Sequence, residues 1–309
     1  MQRNPFFRRA ASVALFVAGL LGGSVAAQAA EIFRVAYAGS MGVVMDKHIG
    51  PAFAKAHDVT YQGIGQGAYA LAHQIKSKIL QADVFISITP GPIDVLKGDI
   101  GPAEPVASTQ MVIAYSPKSR FAAELKAAAE GRKPWYEVLE MPGLRFGRTD
   151  PRTDPQGQNI IFSMLLAQKY YKQPGLADKI LGAHDNPKQI FTEPSLLSRL
   201  EAGQIDATSG YLSAVRSHHL PFIKLPDEIN LSNPAMQQDW YGSVHVRMKG
   251  PDGKDKTLHT QPLVFYAAVV KDSKHPKLAA EFVAFLQSPE GQRMLTDTGY
   301  SPPKGKTID

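Results

Sequence analysis

The stretch Phe146-Gly147-Arg148-Thr149-Asp150-Pro151-Arg152-Thr153-Asp154-Pro155-Gln156-Gly157-Gln158-Asn159 constrains this chain more than any other. It leaves a strand expected over 143–147 and enters a helix expected over 157–172. Two Asp-Pro pairs stiffen the turn, because proline fixes its own φ and pushes the preceding residue towards extended conformations. Gly157 lets backbone approach closely whatever lies in front of the helix. A helix start presents free N–H groups and a partial positive charge. Together these are the parts of an anion seat. The expectation is that the fold brings several such seats together and holds a small oxyanion between them.

The first residues lie outside that fold. Arg3, Arg8 and Arg9 form a basic segment, residues 11–27 an apolar run, and Ala27-Gln28-Ala29 a small-x-small cleavage pattern. Residues 1–29 therefore read as a secretory signal peptide. A retained membrane anchor is the rival reading, but the run is short for a span. The chain has no cysteine, which a lipid-anchored form would need at the cleavage site. The expected location is the periplasm, with the mature protein soluble. Loss of the three arginines lowers the net charge from +6 to +3. So weak a balance does not argue for nucleic acid or a membrane surface. What remains is long enough for two lobes with separate cores.

The mature chain opens on a strand, residues 32–38, which ends in Gly39-Ser40-Met41-Gly42 and a helix to about residue 56. Ser40 falls at the N-cap position. A cap worth about 1 kcal/mol and a hydroxyl aimed at a ligand are both open readings there. A short strand over 59–62 leads to Gly63-Ile64-Gly65-Gln66-Gly67-Ala68-Tyr69 and a helix over 68–80. The spacing G-x-G-x-G departs from a dinucleotide fingerprint. A second anion-facing helix start fits it better. Residues 82–88 form a nearly continuous apolar strand, as buried parallel strands do, broken by Thr89-Pro90-Gly91-Pro92. This β-α-β-α-β order predicts an open α/β unit whose ligand edge lies at the carboxyl ends of its strands.

A strand over 111–118, a polar helix over 121–129, the opening stretch, a short strand over 189–192 and a helix over 194–202 with proline first make a second α/β unit. Residues 203–211 turn into a strand and a further helix over 212–218. Residues 221–225 and 226–231 are expected to be extended. A hairpin follows around Gly250-Pro251-Asp252-Gly253, then a strand over 263–270 that returns to the first unit and two C-terminal helices. The economical architecture is two α/β lobes joined by crossings near Ala114 and Pro262. Lobe I is then residues 30–113 and 264–309, and lobe II is residues 114–263.

At this point the residues resemble a known family. Gly39-Ser40, the glycine-rich loop before Leu71-Ala72-His73-Gln74-Ile75, and Ala82-Asp83-Val84-Phe85-Ile86-Ser87 resemble the periplasmic molybdate/tungstate-binding proteins of ABC importers. So do residues 150–157, the run from Leu196 to Asp206, Tyr211, and residues 225–232, the last of these nearest the branch first known from archaea. The tail from Ala280 to Gly291 is shared more widely among solute-binding proteins. The resemblance implies an α/β fold of two lobes with a cleft between them, the class II type. It also implies a monomer that closes on the anion and docks to a membrane permease. No cofactor is implied, and no nucleic acid.

Carried over position by position, the resemblance implies that the anion meets Ser40, the backbone of Ala68, the Asp154-Pro155-Gln156 segment, the backbone near Glu193 and the Tyr211 hydroxyl. All but Tyr211 lie at or just before helix starts, so oriented dipoles could hold a desolvated dianion without a full counter-charge. The sequence departs from the family twice. Many members have serine where Ala68 stands. The archaeal-type branch has a carboxylate just before the tyrosine, where this chain has Gly210. In that branch the missing carboxylate and an aspartate at the position of Asp154 complete a six-coordinate shell around molybdenum or tungsten. With Gly210 there, octahedral binding stands beside tetrahedral binding and a changed ligand as open alternatives. Asp154 itself could equally be a turn-forming residue.

Other readings compete. The same fold could hold sulfate, phosphate or an organic anion. Tyr170-Tyr171 is similar to the adjacent tyrosines that bind ferric iron in a sister group, but the pair falls late in a helix, where packing roles are expected. His218-His219 face different ways on a helix and lack a third ligand at metal spacing. Arg145, Arg148 and Arg152 read as solvated arginines that could raise the potential at the cleft mouth. An exported hydrolase with Ser40 as nucleophile lacks the G-x-S-x-G elbow, so the expectation is a binder and not an enzyme.

Overall fold

The structure is a computed structural model that describes residues 31–250 and 253–309. The expected signal peptide, and Pro251-Asp252 of the expected hairpin turn, lie outside these residues. Strands β1 (Ile32–Ala38), β2 (Thr60–Gln66), β3 (Val84–Ser87) and β4 (Glu104–Ser108) open the chain. Strands β5 (Met111–Tyr115), β6 (Phe146–Gly147), β7 (Ala207–Tyr211) and β8 (Phe222–Lys224) follow. Strands β9 (His245–Lys249) and β10 (Asp255–His259) form a hairpin, and β11 (Val264–Val269) comes last. They make a five-stranded sheet in the order β2-β1-β3-β11-β4 and a four-stranded sheet in the order β6-β7-β5-β8. These are the two lobes.

In the first sheet β2, β1 and β3 run parallel, and β11 returns antiparallel between β3 and β4. The carboxyl ends of β1 and β2 thus point the same way and deliver Gly39-Ser40 and Gly67-Ala68 to one edge. In the second sheet β6 and β7 are parallel, and β5 is antiparallel to both β7 and β8. Strand β6 delivers the Arg148–Asp154 turn, and β7 ends at Tyr211. The change of sheet expected near Ala114 lies at Thr109–Gln110, since β5 already pairs with β7 at Met111. An apolar run shows that it is a strand, but not which sheet it joins.

Local differences from the expected elements have physical causes. The helix after β1 is a 3-10 turn (Gly39–Met41), an α turn, a π turn (Met45–Ile49) and only then a regular helix (Gly50–His57). Pro51 lies inside this segment and cannot give an amide hydrogen to the preceding turn. A π bulge is a common way to absorb such a mismatch. Strand β2 continues through Gly63 and Gly65, which were expected to be loop. A Cβ on Gly65 would sit 2.7 Å from the Tyr37 ring, and one on Gly63 would strike the Asp46 carboxylate. These two glycines make room for close side-chain packing beneath the strand. Residues 226–231, expected to be extended, contain a helical turn, Asp227–Asn230. Asn230 Nδ2 donates to Leu225 O at 3.2 Å and Asp227 Oδ1 at 3.0 Å, closing that turn from inside. The sequence reading had no counterpart for β4, nor for the helices Pro90–Val95 and Leu176–Leu181.

Candidate functional site between the two sheets

Three helix starts and two strand ends converge where the carboxyl edges of the sheets meet. The Pro155–Tyr170 helix begins with Asp154 as N-cap and proline first, and Asp154 Oδ1 accepts from Gln156 N at 2.8 Å. Its close seating depends on Gly157, where an added Cβ would lie 2.5 Å from Thr149 O and 2.6 Å from Pro151 N. The Glu193–Glu201 helix begins against the Gly39–Ser40 turn, so that a Cβ on Gly39 would lie 2.9 Å from Glu193 Oε2. The Ala68–Lys76 helix begins against the Asp154 turn. There Ala70 N donates to Thr153 O at 3.2 Å, and a Cβ on Gly67 would lie 3.2 Å from Asp154 Cβ.

Ser40, Gln156 and Glu193 line one small cavity of about 30 Å³, with Gly39, Gly210 and His218 also on its wall. Glu193 also lines an open groove of about 680 Å³ that runs past Gly67, Thr149 and Asp154. Ser40 is not a helix cap: Ala38 holds the N-cap position, and the buried Ser40 Oγ has no hydrogen-bond partner. The chain around it is fixed instead by Tyr300, whose hydroxyl donates to Ser40 O at 3.1 Å. Gln156 is held by Ser209, whose Oγ donates to Gln156 Oε1 at 3.1 Å, which leaves the Gln156 amide NH2 free to face a ligand. Tyr211 is fully buried, and its hydroxyl accepts from Asn159 Nδ2 at 3.1 Å. The phenolic hydrogen is still available to donate. Ala68 is buried at its helix start and lines neither space. It reaches the others only through Gly67 and the Asp154 turn.

Two carboxyls dominate the electrostatics. Burial pushes the Asp154 carboxyl up to about 7, against the hydrogen bond from the Gln156 amide. Burial also pushes Glu193 well above the usual carboxylate range, and Asp154 raises it further as a neighbouring like charge. Tyr211 is raised by burial first and then by Asp154 and Glu193. Asp154 and Glu193 therefore lie side by side on the groove, where burial disfavours charge on either carboxyl, and Tyr211, which lines neither space, is near enough to feel both. The second carboxylate is what the sequence reading missed. Gly210 has no side chain, and a Cβ there would meet Val215 Cγ2 at 2.8 Å. Glu193 brings a carboxylate to the same neighbourhood from another element. The reading had used only the backbone near Glu193. The one available signal was a glutamate directly before a helix-starting proline.

Of the three arginines, only Arg148 departs from a solvated cation; Arg145 and Arg152 keep 53% and 48% of their side chains exposed while each pairs with an aspartate. Arg148 is fully buried, its Nε donating to Gln189 Oε1 at 3.1 Å and one terminal nitrogen to Ala183 O at 2.8 Å. Arg145 clamps Asp206 through Nε and a terminal nitrogen, both at 2.9 Å. Arg152 pairs with Asp150 at 2.6 Å. Tyr171 accepts from Trp135 Nε1 at 3.1 Å, a packing contact, and His218 Nδ1 lies 2.7 Å from Glu201.

With this geometry in view, comparison with known proteins is decisive about kinship. The model of the family described as "Bacterial extracellular solute-binding protein" matches residues 33–301. The chain belongs to that family of solute-binding proteins. Its curated relatives include the molybdate/tungstate-binding protein WtpA of Thermococcus kodakarensis, 34% identical over 210 residues, which are 62% of this chain and 57% of that one. The protein of the same name from Pyrococcus abyssi is 32% identical over 62% of this chain and 59% of its own. An uncharacterized solute-binding protein of Petrotoga mobilis is 31% identical over 66% of this chain and 63% of its own. The chain thus spans about three-fifths of the length of these relatives. Among solved structures, the periplasmic molybdate-binding protein of Azotobacter vinelandii aligns with a TM-score of 0.57 at 15% identity, covering 88% of this chain and 100% of that one. The sulfate-binding protein SubI of Mycobacterium tuberculosis aligns with a TM-score of 0.56 at 14% identity, covering 88% of this chain and 87% of its own. At such identities the likeness speaks for the two-lobed periplasmic-binding-protein fold. Among the described residues no helix is long and apolar enough to cross a membrane.

Proposed function

We propose that this solute-binding protein captures a tetrahedral oxyanion, molybdate or tungstate, between its two lobes and delivers it to the permease of an ABC importer. The observation that carries the reading is the buried Ser40 hydroxyl, which completes no hydrogen bond of good geometry, in a cavity shared with Gln156 and Glu193, whose elements belong to the other sheet. A buried hydroxyl left unpaired costs free energy that a ligand oxygen would recover. Ser40, the Ala68 helix start, Asp154, Gln156, Glu193 and Tyr211 make up the proposed binding region. The names of the relatives from Thermococcus and Pyrococcus support the choice of anion.

The remaining parts of the proposal follow from this. Residues 1–29 are a cleaved signal peptide, and the mature protein works in the periplasm as a monomer. Lobe I comprises residues 30–108 and 264–309, and lobe II residues 111–263, so that β5 falls wholly in lobe II. The protein carries its solute without transforming it. The two acidic side chains favour one second reading, hydrogen phosphate, which brings a proton that a carboxylate can accept. Calorimetry with molybdate, tungstate, sulfate and phosphate tests these readings. Preferential binding of molybdate or tungstate is expected; preference for phosphate replaces the first reading with the second, and no binding of any of the four removes both.

A further inference from the structure

The Glu193 carboxyl reaches the Gly39–Ser40 turn and lines the cavity beside it, the seat proposed above for the anion. The backbone N–H groups of Gly39 and Ser40 and the Ser40 hydroxyl all favour its charged form. Its Oε2 is the atom that a Cβ on Gly39 would approach to 2.9 Å. The contact crosses the cleft, because Gly39 and Ser40 follow β1 of the first sheet and Glu193 precedes β7 of the second. It is also unfinished. Ser40 Oγ and Glu193 Oε1 are both buried and neither completes a hydrogen bond of good geometry. The residual space beside them, about 30 Å³, has room for a water or two but not for a four-oxygen anion.

We propose that Glu193 is a built-in occupant of the anion seat, an autoinhibitory side chain that a bound oxyanion must displace. The idea rests on the functional reading above and explains two facts that it leaves open. The first is why the cavity next to the orphaned Ser40 hydroxyl is too small for the solute. The second is why a glutamate is buried against Asp154, where charge on one carboxyl disfavours charge on the other. Rotation of Glu193 into the adjoining groove, which it already lines, would move its carboxyl towards solvent, where it can ionise, and leave Gly39, Ser40 and Gln156 free for the ligand. While Glu193 is seated, the binding-competent fraction is small, and the apparent affinity falls by that fraction. The side chain also offers a lobe-to-lobe contact in the absence of ligand.

Calorimetry with sodium molybdate on wild type, Glu193→Gln and Glu193→Ala tests the proposal. Both variants are expected to bind roughly tenfold or more tightly than wild type, as removal of a competing state occupied nine-tenths of the time requires. Stopped-flow association is expected to be faster in both, because the gain is in the competent fraction. Equal or weaker binding by both variants, with wild type binding normally, overturns the proposal and makes Glu193 a bystander or a direct ligand. Binding by the variants alone supports it in its strongest form. No heat from any of the three proteins overturns the functional reading and this inference with it. Melting curves of the ligand-free proteins identify a folding defect, and the isosteric glutamine variant then decides.

Discussion

Ser40 Oγ and the Gln156 amide are neutral donors on the wall of the small cavity, and the Tyr211 hydroxyl, which lines neither that cavity nor the groove, is a third that the proposed site draws on. A hydrogen bond to a charged group is worth more than one between neutral partners, about 1.5–3 kcal/mol. Ser40→Ala and Tyr211→Phe are each expected to weaken oxyanion binding by about 1–3 kcal/mol, measured by calorimetric titration. Asp154 gives a prediction about pH. Its folded carboxyl is pushed up to about 7, so the folded protein holds a proton that the unfolded chain releases near pH 4. Its contribution to stability is therefore fully present below pH 4 and is lost as pH rises through about 7. The ligand-free protein is expected to melt at a lower temperature at pH 8 than at pH 5. Asp154→Asn should melt several degrees above wild type at pH 8, with the gap closing towards pH 4. Scanning calorimetry across that range decides the matter, and a gap independent of pH would mean that Asp154 is already ionised in the folded state.

Helix starts are the elements that position the site, and Gly157 is where one of them is most tightly built. An added methyl would meet backbone at Thr149 and Pro151, which cannot rotate away as a side chain can. Gly157→Ala is expected to destabilise the protein by about 1–3 kcal/mol, the usual cost of overpacking, as read from denaturant midpoints. It should weaken anion binding as well, because the Asp154–Gln156 turn must shift. Much of this element was legible in advance. The Asp-Pro pairs announced the turn and Gly157 the close approach, while the helix expected from residue 157 starts two residues earlier, at Pro155. Gly63 and Gly65 misled for the same reason that Gly157 informed: glycine signals close approach without naming the partner, and theirs is the Tyr37 and Asp46 side chains. Strand β4 went unread because it is five residues long and carries Pro105, which sits in a stretch where β4 shifts register against β11. The Glu193 carboxylate went unread because side-chain direction at a helix start depends on what the other lobe presents. The sequence alone does not show that Arg148 supports the turn from within, because that role is fixed by Ala183 and Gln189 forty residues away or nearly so.

At the scale of the whole molecule, the two sheets change over at Thr109–Gln110 and again before β11, so the cleft lies between parts that the chain joins only twice. A ligand that bridges such parts stabilises the closed form by its binding free energy. A saturating oxyanion is expected to raise stability by about 2.7 kcal/mol at one hundred times its Kd, with the melting temperature climbing steadily with concentration. Sulfate in the same assay should give a smaller shift, since two buried carboxyls oppose an anion that neither donates a proton nor accepts another oxygen. The most direct measurement of the central claim is a calorimetric titration of molybdate into wild type and into the Ser40→Ala/Tyr211→Phe double variant. One anion bound per wild-type chain, with binding weakened roughly thirtyfold or more in the double variant, is the predicted result, in line with about 2 kcal/mol or more lost from two charged-group hydrogen bonds. Undiminished binding by the double variant would contradict it, because the anion would then be held somewhere other than between the lobes.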